Sequence, residues 1–195
     1  MSKEKKSRSQ LPKLVQYALE GTPHEVITFP NTMRDAEEIA AHLGIPATQV
    51  FKTLVVVRLD KGKPLLVIPP ADRQLDLKKV AAATGEKKLK MASHAEAEAL
   101  THLQVGGISA LALLNRGFDI FLDASAQDFS HIYVSGGQRG LDGKIAVADL
   151  GRLTRPQRAR AVGLERDAVA EPVDADVEHD GQDEGDEQAA LAAQD

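Results

Sequence analysis

The stretch QVFKTLVVVRLDKGKPLLVI, residues 49–68, decides the fold because it holds two runs of β-forming apolar residues around a tight turn. Phe51 to Leu59 and Pro64 to Ile68 predict two strands, and the Asp-Lys-Gly-Lys between them predicts a hairpin whose glycine supplies a positive φ. Because both faces of these runs are apolar, we expect the strands to be covered on both sides. Lys52 is the exception, since it places an ammonium group where the first run begins.

Two interpretations of Lys52 follow from its position. Period-two alternation puts its side chain on the same face as Leu54 and Val56. In the commoner case for a lysine at a strand end, the stem lies on apolar surface and the head reaches water. In the functional case, a partly desolvated ammonium is aimed at an anion or a polarised carbonyl. The residues around Lys52 leave both interpretations open.

The segments on either side of the hairpin mix helices and strands without strict alternation. Helices are predicted from Leu11 to Leu19, after Thr32 as N-cap up to Gly44, from Leu75 to Thr84, from Ser93 to Leu100 with a capping box to Glu96, and near Asp149 to Arg160. Further strands are predicted at Glu25 to Phe29, Lys88 to Met91, Asp119 to Asp123, His131 to Ser135 and Lys144 to Ala148. This order favours an α+β fold over a doubly wound sheet.

Composition divides the 195 residues into one domain with two tails. Residues 1–10 are polar and basic, and we expect them to be flexible. Residues 164–195 carry twelve acidic side chains against Arg166 alone, with few large apolar groups, so we expect an acidic, disordered tail. Residues 11–163 form the predicted domain, and the chain up to residue 163 has a net charge of +6. That charge is compatible with a polyanionic partner.

Several classes of function are disfavoured by what the sequence lacks. The absence of cysteine rules out disulfides, thiolate metal sites and a cysteine nucleophile. The six histidines show no metal-ligand spacing, and we expect no metal and no cofactor. No apolar stretch approaches the roughly 18 residues of a membrane span and no apolar signal region follows the N-terminus, so a cytoplasmic protein is expected.

Two glycine-rich turns follow apolar segments, VGGIS at residues 105–109 and YVSGGQRGLD at residues 133–142. Paired glycines let backbone N–H groups approach an oxyanion or phosphate closely, although plain turns are the commoner explanation. Neither turn matches the P-loop or the GxGxxG pattern, and Ser109 does not occupy a GxSxG elbow. Asp142 would orient a charged group or cap a turn.

The ordered motifs FKTLVV, QLDLKKVA, VGGIS and IYVSGGQRGLD resemble the YbaK/EbsC family of free-standing aminoacyl-tRNA deacylases, relatives of the editing domain of bacterial prolyl-tRNA synthetases. The likeness covers Leu11 to Arg158. It implies a mixed β-barrel surrounded by helices in a single domain, and it implies hydrolysis of the ester bond of misacylated tRNA, most typically Cys-tRNA(Pro).

The resemblance also implies roles for particular residues. Lys52 would hold the 3′-terminal adenosine and its ester, and Gly106 and Gly107 would form the backbone wall at the scissile carbonyl. Ser135, with Gly136 beside it, would lie near the aminoacyl group, and Asp142 would be a polar partner. Phe29 and Ser109 complete the expected substrate-binding set. Phe29 stands where several relatives carry tyrosine, and the loss of the phenol removes one expected hydrogen bond of the pocket. Ala110 stands where many relatives carry proline.

In Cys-specific members of this family the cysteinyl thiol attacks its own ester, so the protein supplies neither nucleophile nor metal. The partners implied are misacylated tRNA and prolyl-tRNA synthetase, with no membrane. Two alternatives stay open. The chain could deacylate another misacylated tRNA, of the Ala or Ser type, with water as nucleophile. It could instead be a non-catalytic module that binds a nucleotide or an aminoacyl-adenosine end.

Overall fold

The computed structural model describes residues 11–154 and 160–162, so the predicted segments 1–10 and 164–195 lie outside the described residues. The helices are α1 (Lys13–Ala18), α2 (Ala36–Leu43), α3 (Leu77–Thr84), α4 (His94–Thr101) and α5 (Val147–Thr154). The strands are β1 (His24–Thr28), β2 (Val50–Phe51), β3 (Leu54–Arg58), β4 (Leu65–Ile68), β5 (Leu89–Met91), β6 (Asp119–Asp123), β7 (His131–Ser135), β8 (Leu141–Ala146) and β9 (Arg160–Val162).

The described strands form two mixed sheets. One has the order β1-β8-β7-β2 and the other has the order β5-β3-β4-β6-β9. In the first sheet β2 pairs with β7 in parallel and the remaining pairs are antiparallel. In the second sheet β3 pairs antiparallel with β4 and β5, while β6 pairs in parallel with β4 and β9. The predicted α+β class is confirmed, as is the hairpin of β3 and β4.

The chain passes from the first sheet to the second at Lys52, where the sequence predicted one continuous strand. The strand from Phe51 to Leu59 is in fact two strands, β2 and β3, separated by Lys52 and Thr53. An isolated bridge between Phe51 and Pro70 joins the sheets at this point. Because Phe51 is almost completely buried, it fixes the place where the chain changes sheet. The barrel implied by the resemblance is therefore two sheets joined by this bridge, at least among the described strands.

Apolar side chains cover both faces of the hairpin strands, as their composition predicted. Val55, Leu66 and Ile68 belong to the larger buried cluster, which α1 also enters. Val56, Leu65 and Val67 face the other way and pack with Val80 of α3 and Phe121 of β6. All four side chains of β4 are buried. Burial of this kind contributes roughly 1.5–3 kcal/mol for each large apolar side chain.

Local capping chemistry sets the helix ends. Ser93 and Glu96 form the predicted capping box of α4. The predicted N-cap of α2 was Thr32, which is wrong, because the carboxylate of Asp35 accepts from the backbone of Glu37 and Glu38 instead. A carboxylate at this position also interacts favourably with the helix dipole.

The C-terminal prediction was partly wrong. The helix expected up to Arg160 is described as α5 as far as Thr154, and residues 155–159 lie outside the described residues. Arg160 belongs to β9, which pairs with β6, and not to a helix. The strand predicted from Lys144 begins earlier, at Leu141. Within residues 11–154 and 160–162, no helix has the length and apolar character that a membrane crossing requires.

Candidate active site

A partly enclosed cavity of about 540 Å³ lies where the chain changes sheet. Its walls come from distant parts of the sequence, namely the residues before and within α2, the segment 50–55, residues 73–75, the residues before and within α4, the first glycine turn, and one position each from β7 and β8. Lining residues with polar or charged side chains are Arg34, Asp35, Lys52, Thr53, Arg73, Gln74, His94, Ser135 and Asp142. A partly enclosed cavity of this volume is suited to a small group at the end of a larger ligand.

Lys52 is anchored at this cavity by its backbone and by its side chain. Its N–H donates to the carbonyl of Pro69 at 3.0 Å, and its Nζ donates to the carbonyl of Ala71 at 2.8 Å. The side chain is half-buried. An ammonium group has three donors, so two remain for a ligand after the bond to Ala71. The first glycine turn lies in the same cavity wall, because Gly106 also lines it.

Asp142 is the buried acid of the site. It lies on β8 directly opposite Ser135 of β7, and both residues line the cavity. Asp142 is 5% exposed, and burial raises the pKa of its carboxyl to about 6. Cross-strand neighbours bring their Cβ atoms within about 4.5–5.5 Å, so the carboxyl and the hydroxyl share one face. The Oγ of Ser135 accepts a hydrogen bond of 3.5 Å from the N–H of Gly137.

The two glycine turns predicted from the sequence interlock. A Cβ at Gly107 would lie 2.7 Å from the backbone nitrogen of Arg139 and 2.8 Å from the carbonyl carbon of Gln138, so only glycine fits. The Nε of Arg139 in turn donates to the carbonyl of Val105 at 2.7 Å. Gly106 has φ +88°, in the left-handed region that favours glycine. The interlocked turns therefore hold the wall that Gly106 presents to the cavity.

The cavity lining includes four of the eight predicted site residues, Lys52, Gly106, Ser135 and Asp142. The other four lie outside the lining and have structural surroundings. Gly107 packs on the second turn, and a Cβ at Gly136 would lie 2.9 Å from the side chain of Leu11. Ser109 is buried, and its Oγ has no hydrogen-bond partner among the described residues. The backbone N–H of Phe29 donates to the carbonyl of Gly140 at 3.1 Å.

Two cations of the cavity were missed in the sequence. Arg34 lies against the first glycine turn, since its Cβ and Cγ would be 3.3 Å from a Cβ at Gly106. Arg73 comes from the loop after β4. With Lys52 they make three cations against two acidic side chains, Asp142 and Asp35, and the carboxylate of Asp35 is engaged as the N-cap of α2. The available signal was weak, since Arg73 directly precedes the QLDLKKVA motif and Arg34 has no motif of its own. This balance favours an anionic ligand at the cavity.

Within residues 11–154 and 160–162, no group of three or more His, Asp or Glu side chains is arranged to hold a metal ion. The available chemistry is thus a positioned ammonium, a buried carboxyl of raised pKa, a hydroxyl and a glycine-lined wall. These groups together can bind the anionic end of a larger ligand and transfer a proton to or from it.

Sequence comparison identifies the family. The model of the aminoacyl-tRNA editing domain matches residues 30–153. The protein EbsC of Enterococcus faecalis, proposed as a Cys-tRNA(Pro)/Cys-tRNA(Cys) deacylase, is 39% identical over 124 residues, which are 64% of this chain and 74% of that protein. The chain belongs to the aminoacyl-tRNA editing domain family, and its general activity is the deacylation of aminoacyl-tRNA.

Solved structures have the same fold. A protein proposed as a trans-editing enzyme for prolyl-tRNA synthetase aligns with a TM-score of 0.65 and 25% identity, covering 79% of this chain and 96% of that one. A second crystal structure, of a hypothetical protein, aligns with a TM-score of 0.67 and 23% identity over 73% of this chain and 95% of that one. At this identity the second likeness shows the fold alone.

Proposed function

We propose that this protein hydrolyses the ester bond of misacylated tRNA in trans, with Cys-tRNA(Pro) as the preferred substrate and Lys52 positioning the 3′ end. The observation that carries the proposal is the ammonium of Lys52, fixed by the carbonyl of Ala71 at the cavity with two donors left over. The proposed activity of EbsC supports the choice of substrate. The site of action is the cytoplasm, on tRNA released from or still bound to prolyl-tRNA synthetase.

The need for such an activity follows from the limits of size selection. A pocket that discriminates by one methylene gains only about 1–3 kcal/mol, so a prolyl synthetase cannot reject cysteine well by binding alone. A second site that destroys the wrong product corrects the error. In the proposed reaction the cysteinyl sulfur bonds to the ester carbonyl, and the bond from that carbonyl to the ribose oxygen breaks. The thiol proton finishes on the released ribose oxygen, and water opens the thiolactone to free cysteine.

In this scheme the protein contributes position and charge. Lys52 and the backbone at Gly106 would hold the terminal ribose and the carbonyl, so that the thiol meets the carbonyl in attack geometry. Orientation of this kind can supply about 7–11 kcal/mol of the barrier. Asp142, with a pKa of about 6, is ionised at neutral pH and would accept the thiol proton and deliver it to the leaving oxygen.

A second candidate rests on the same carboxyl. A buried acid whose pKa is raised to about 6 is also suited to activate water as a general base. The substrate would then be an Ala-type or Ser-type misacylated tRNA, which carries no thiol. The two candidates differ in one observable. Only thiol attack requires the side chain of the amino acid, so Cys-tRNA(Pro) would be deacylated much faster than Ala-tRNA(Pro) or Ser-tRNA(Pro).

The test is deacylation of Cys-tRNA(Pro), Ala-tRNA(Pro) and Ser-tRNA(Pro), at enzyme concentrations well below substrate, by the wild type, Lys52→Ala and Lys78→Ala. Lys78 is an exposed lysine of α3 and serves as the matched control. We expect Lys52→Ala to lose at least 100-fold in rate with an unchanged melting temperature. An unchanged rate in Lys52→Ala would falsify the role of Lys52. Binding of the 3′ end without any turnover by the wild type would instead show a binding module.

A further inference from the structure

A second, basic cleft of about 320 Å³ lies at the opposite end of α4 from the candidate active site. Its charged and ionisable lining comes from Lys63, His102 and Arg116, and its apolar floor comes from Pro64, Leu100 and Phe118. None of these three polar side chains forms an ion pair within the described part of the chain. The cleft shares no lining residue with the cavity at Lys52.

The position of Lys63 depends on a glycine. Its side chain crosses Gly117, where a Cβ would lie 3.1 Å from the lysine Cδ and would collide with its Nζ. Gly117 has φ +76°, so the backbone conformation and the space both suit glycine. The guanidinium of Arg58 donates to the backbone carbonyl of Lys63 and holds that end of the hairpin. The ammonium therefore lies over a bare backbone at the side of the cleft.

The acidic residues near the cleft are engaged with cations or backbone N–H groups outside its lining. Asp119, next to Phe118 of the floor, pairs with Arg58 at 2.6 Å. On α4, Glu96 pairs with Lys90 at 2.7 Å, and Glu98 accepts from the backbone of Val105 at 2.9 Å. The exposed Asp60, in the same turn as Lys63, does not line the cleft. The positive charge of the cleft is consequently left without a counter-charge of its own among the described residues.

His102 combines an unusual backbone conformation with a place in the lining of the cleft. The helices α2 and α3 end at glycines in the left-handed conformation, Gly44 and Gly85. The helix α4 ends in the same conformation at His102, which has φ +57° and is the one non-glycine residue with positive φ in the described part of the chain. A side chain in this region is strained, and strain of this kind clusters at functional sites. Glycine would satisfy the helix end equally well, and the imidazole that stands there instead lines the cleft.

We infer that this cleft binds the phosphate backbone of the tRNA 3′ strand, a few nucleotides from the terminal adenosine. The inference rests on the proposed function. Residues His94 and Ala97 of α4 line the active-site cavity, and Leu100 and His102 line the cleft. From His94 to His102 the helix rises about 12 Å at 1.5 Å per residue. At roughly 3.4 Å per nucleotide along a strand, this distance corresponds to three or four nucleotides.

The test measures binding of deacylated tRNA(Pro) over a series of salt concentrations, for the wild type, the double variant Lys63→Ala/Arg116→Ala, His102→Gly and Lys61→Ala. Each lost phosphate contact lowers the slope of log affinity against log salt by about 0.7–0.9. We expect the double variant to bind about five- to tenfold more weakly at low salt, with a smaller slope. Lys61, an exposed lysine of the same turn outside the cleft lining, is the matched control and keeps the wild-type slope.

His102→Gly separates binding from folding. It relieves the left-handed strain, so its melting temperature should equal or exceed that of the wild type, while its affinity for tRNA falls. Wild-type affinity and slope in both His102→Gly and the double variant would overturn the inference. This binding readout is independent of hydrolysis.

Substrate length then separates the cleft from the active site. Cysteinyl-adenosine is too short to reach the cleft, so the double variant should show a raised KM only with full-length Cys-tRNA(Pro). An equal loss with cysteinyl-adenosine would overturn the inference, because the effect would then arise at the active site. If the wild type hydrolyses neither substrate, the proposed function fails, and the salt dependence of binding still decides whether the cleft takes phosphates.

Discussion

Replacing Asp142 by asparagine should stabilise the protein at neutral pH and do so much less at pH 4. Burial raises the pKa of this carboxyl from 3.8 to about 6, so the folded state holds its proton more tightly than the unfolded state does. Between these two pKa values the unfolded chain ionises first, and the fold loses stability as the pH rises. A difference of about 2 in pKa is worth roughly 3 kcal/mol, at 1.36 kcal/mol for each pKa unit. Asparagine carries no charge and escapes this loss.

The assay is denaturant unfolding of the wild type and Asp142→Asn at pH 4, 5, 6, 7 and 8. The free energy of unfolding of the variant should exceed that of the wild type by an amount that grows from about 0.5 kcal/mol at pH 4 to about 2–3 kcal/mol at pH 7. Asp72→Asn, at an exposed carboxyl, is the control and should show no such growth. Any effect of the amide itself is independent of pH and cancels in the comparison. A difference between variant and wild type that is constant from pH 4 to 8 would refute the reasoning.

Two further predictions concern stability. Gly107→Ala should lower the free energy of unfolding by about 1–3 kcal/mol, because its Cβ would meet rigid backbone, whereas a Cβ at Gly151 in α5 would meet no atom within 4 Å. Gly151→Ala should therefore be neutral or stabilising by about 0.5–1 kcal/mol. Thermal melts compare the two variants, and equal melting temperatures would contradict the interlocking of the two glycine turns. Arg58→Ala should lower the free energy of unfolding by about 1–3 kcal/mol, because it leaves Glu86 and Asp119 unpaired beside the hairpin. If the ion pairs cause this loss of stability, the difference from the wild type in denaturant unfolding should be smaller in high salt.

Local signals predicted much of the secondary structure. Asp119–Asp123 and His131–Ser135 form strands with the predicted bounds, and Ser93 begins α4 through the predicted capping box. Such features depend on neighbours within a few residues, so the sequence displays them directly. The misassigned N-cap of α2 shows the limit of this reasoning. Thr32 and Asp35 are both good capping residues, and only the folded chain shows that the carboxylate of Asp35 meets the first N–H groups of the helix.

The arrangement of the site depended on contacts between distant segments. The apolar run after Gln49 looks continuous in sequence, and only the bridge from Phe51 to Pro70 shows that it divides between two sheets. The sequence marked both glycine turns but could not show that Gly107 packs on the backbone of Arg139 while Gly106 faces the cavity. Arg34 and Arg73 lack a local motif of their own, so their place beside Lys52 emerged only from the folded chain.

The change of sheet at Lys52 limits how this protein can acquire new substrates. The backbone of Lys52 is tied to Pro69 while its neighbours Phe51 and Leu54 pair in different sheets, so altering this segment would disturb both sheets at once. The loop at residues 73–75 and the start of α4 also line the cavity but lie outside the strands. Variation in those two segments can change the shape of the cavity while the ammonium of Lys52 stays in place. Divergence in amino-acid preference should therefore accumulate there, and engineering of the preference should begin there.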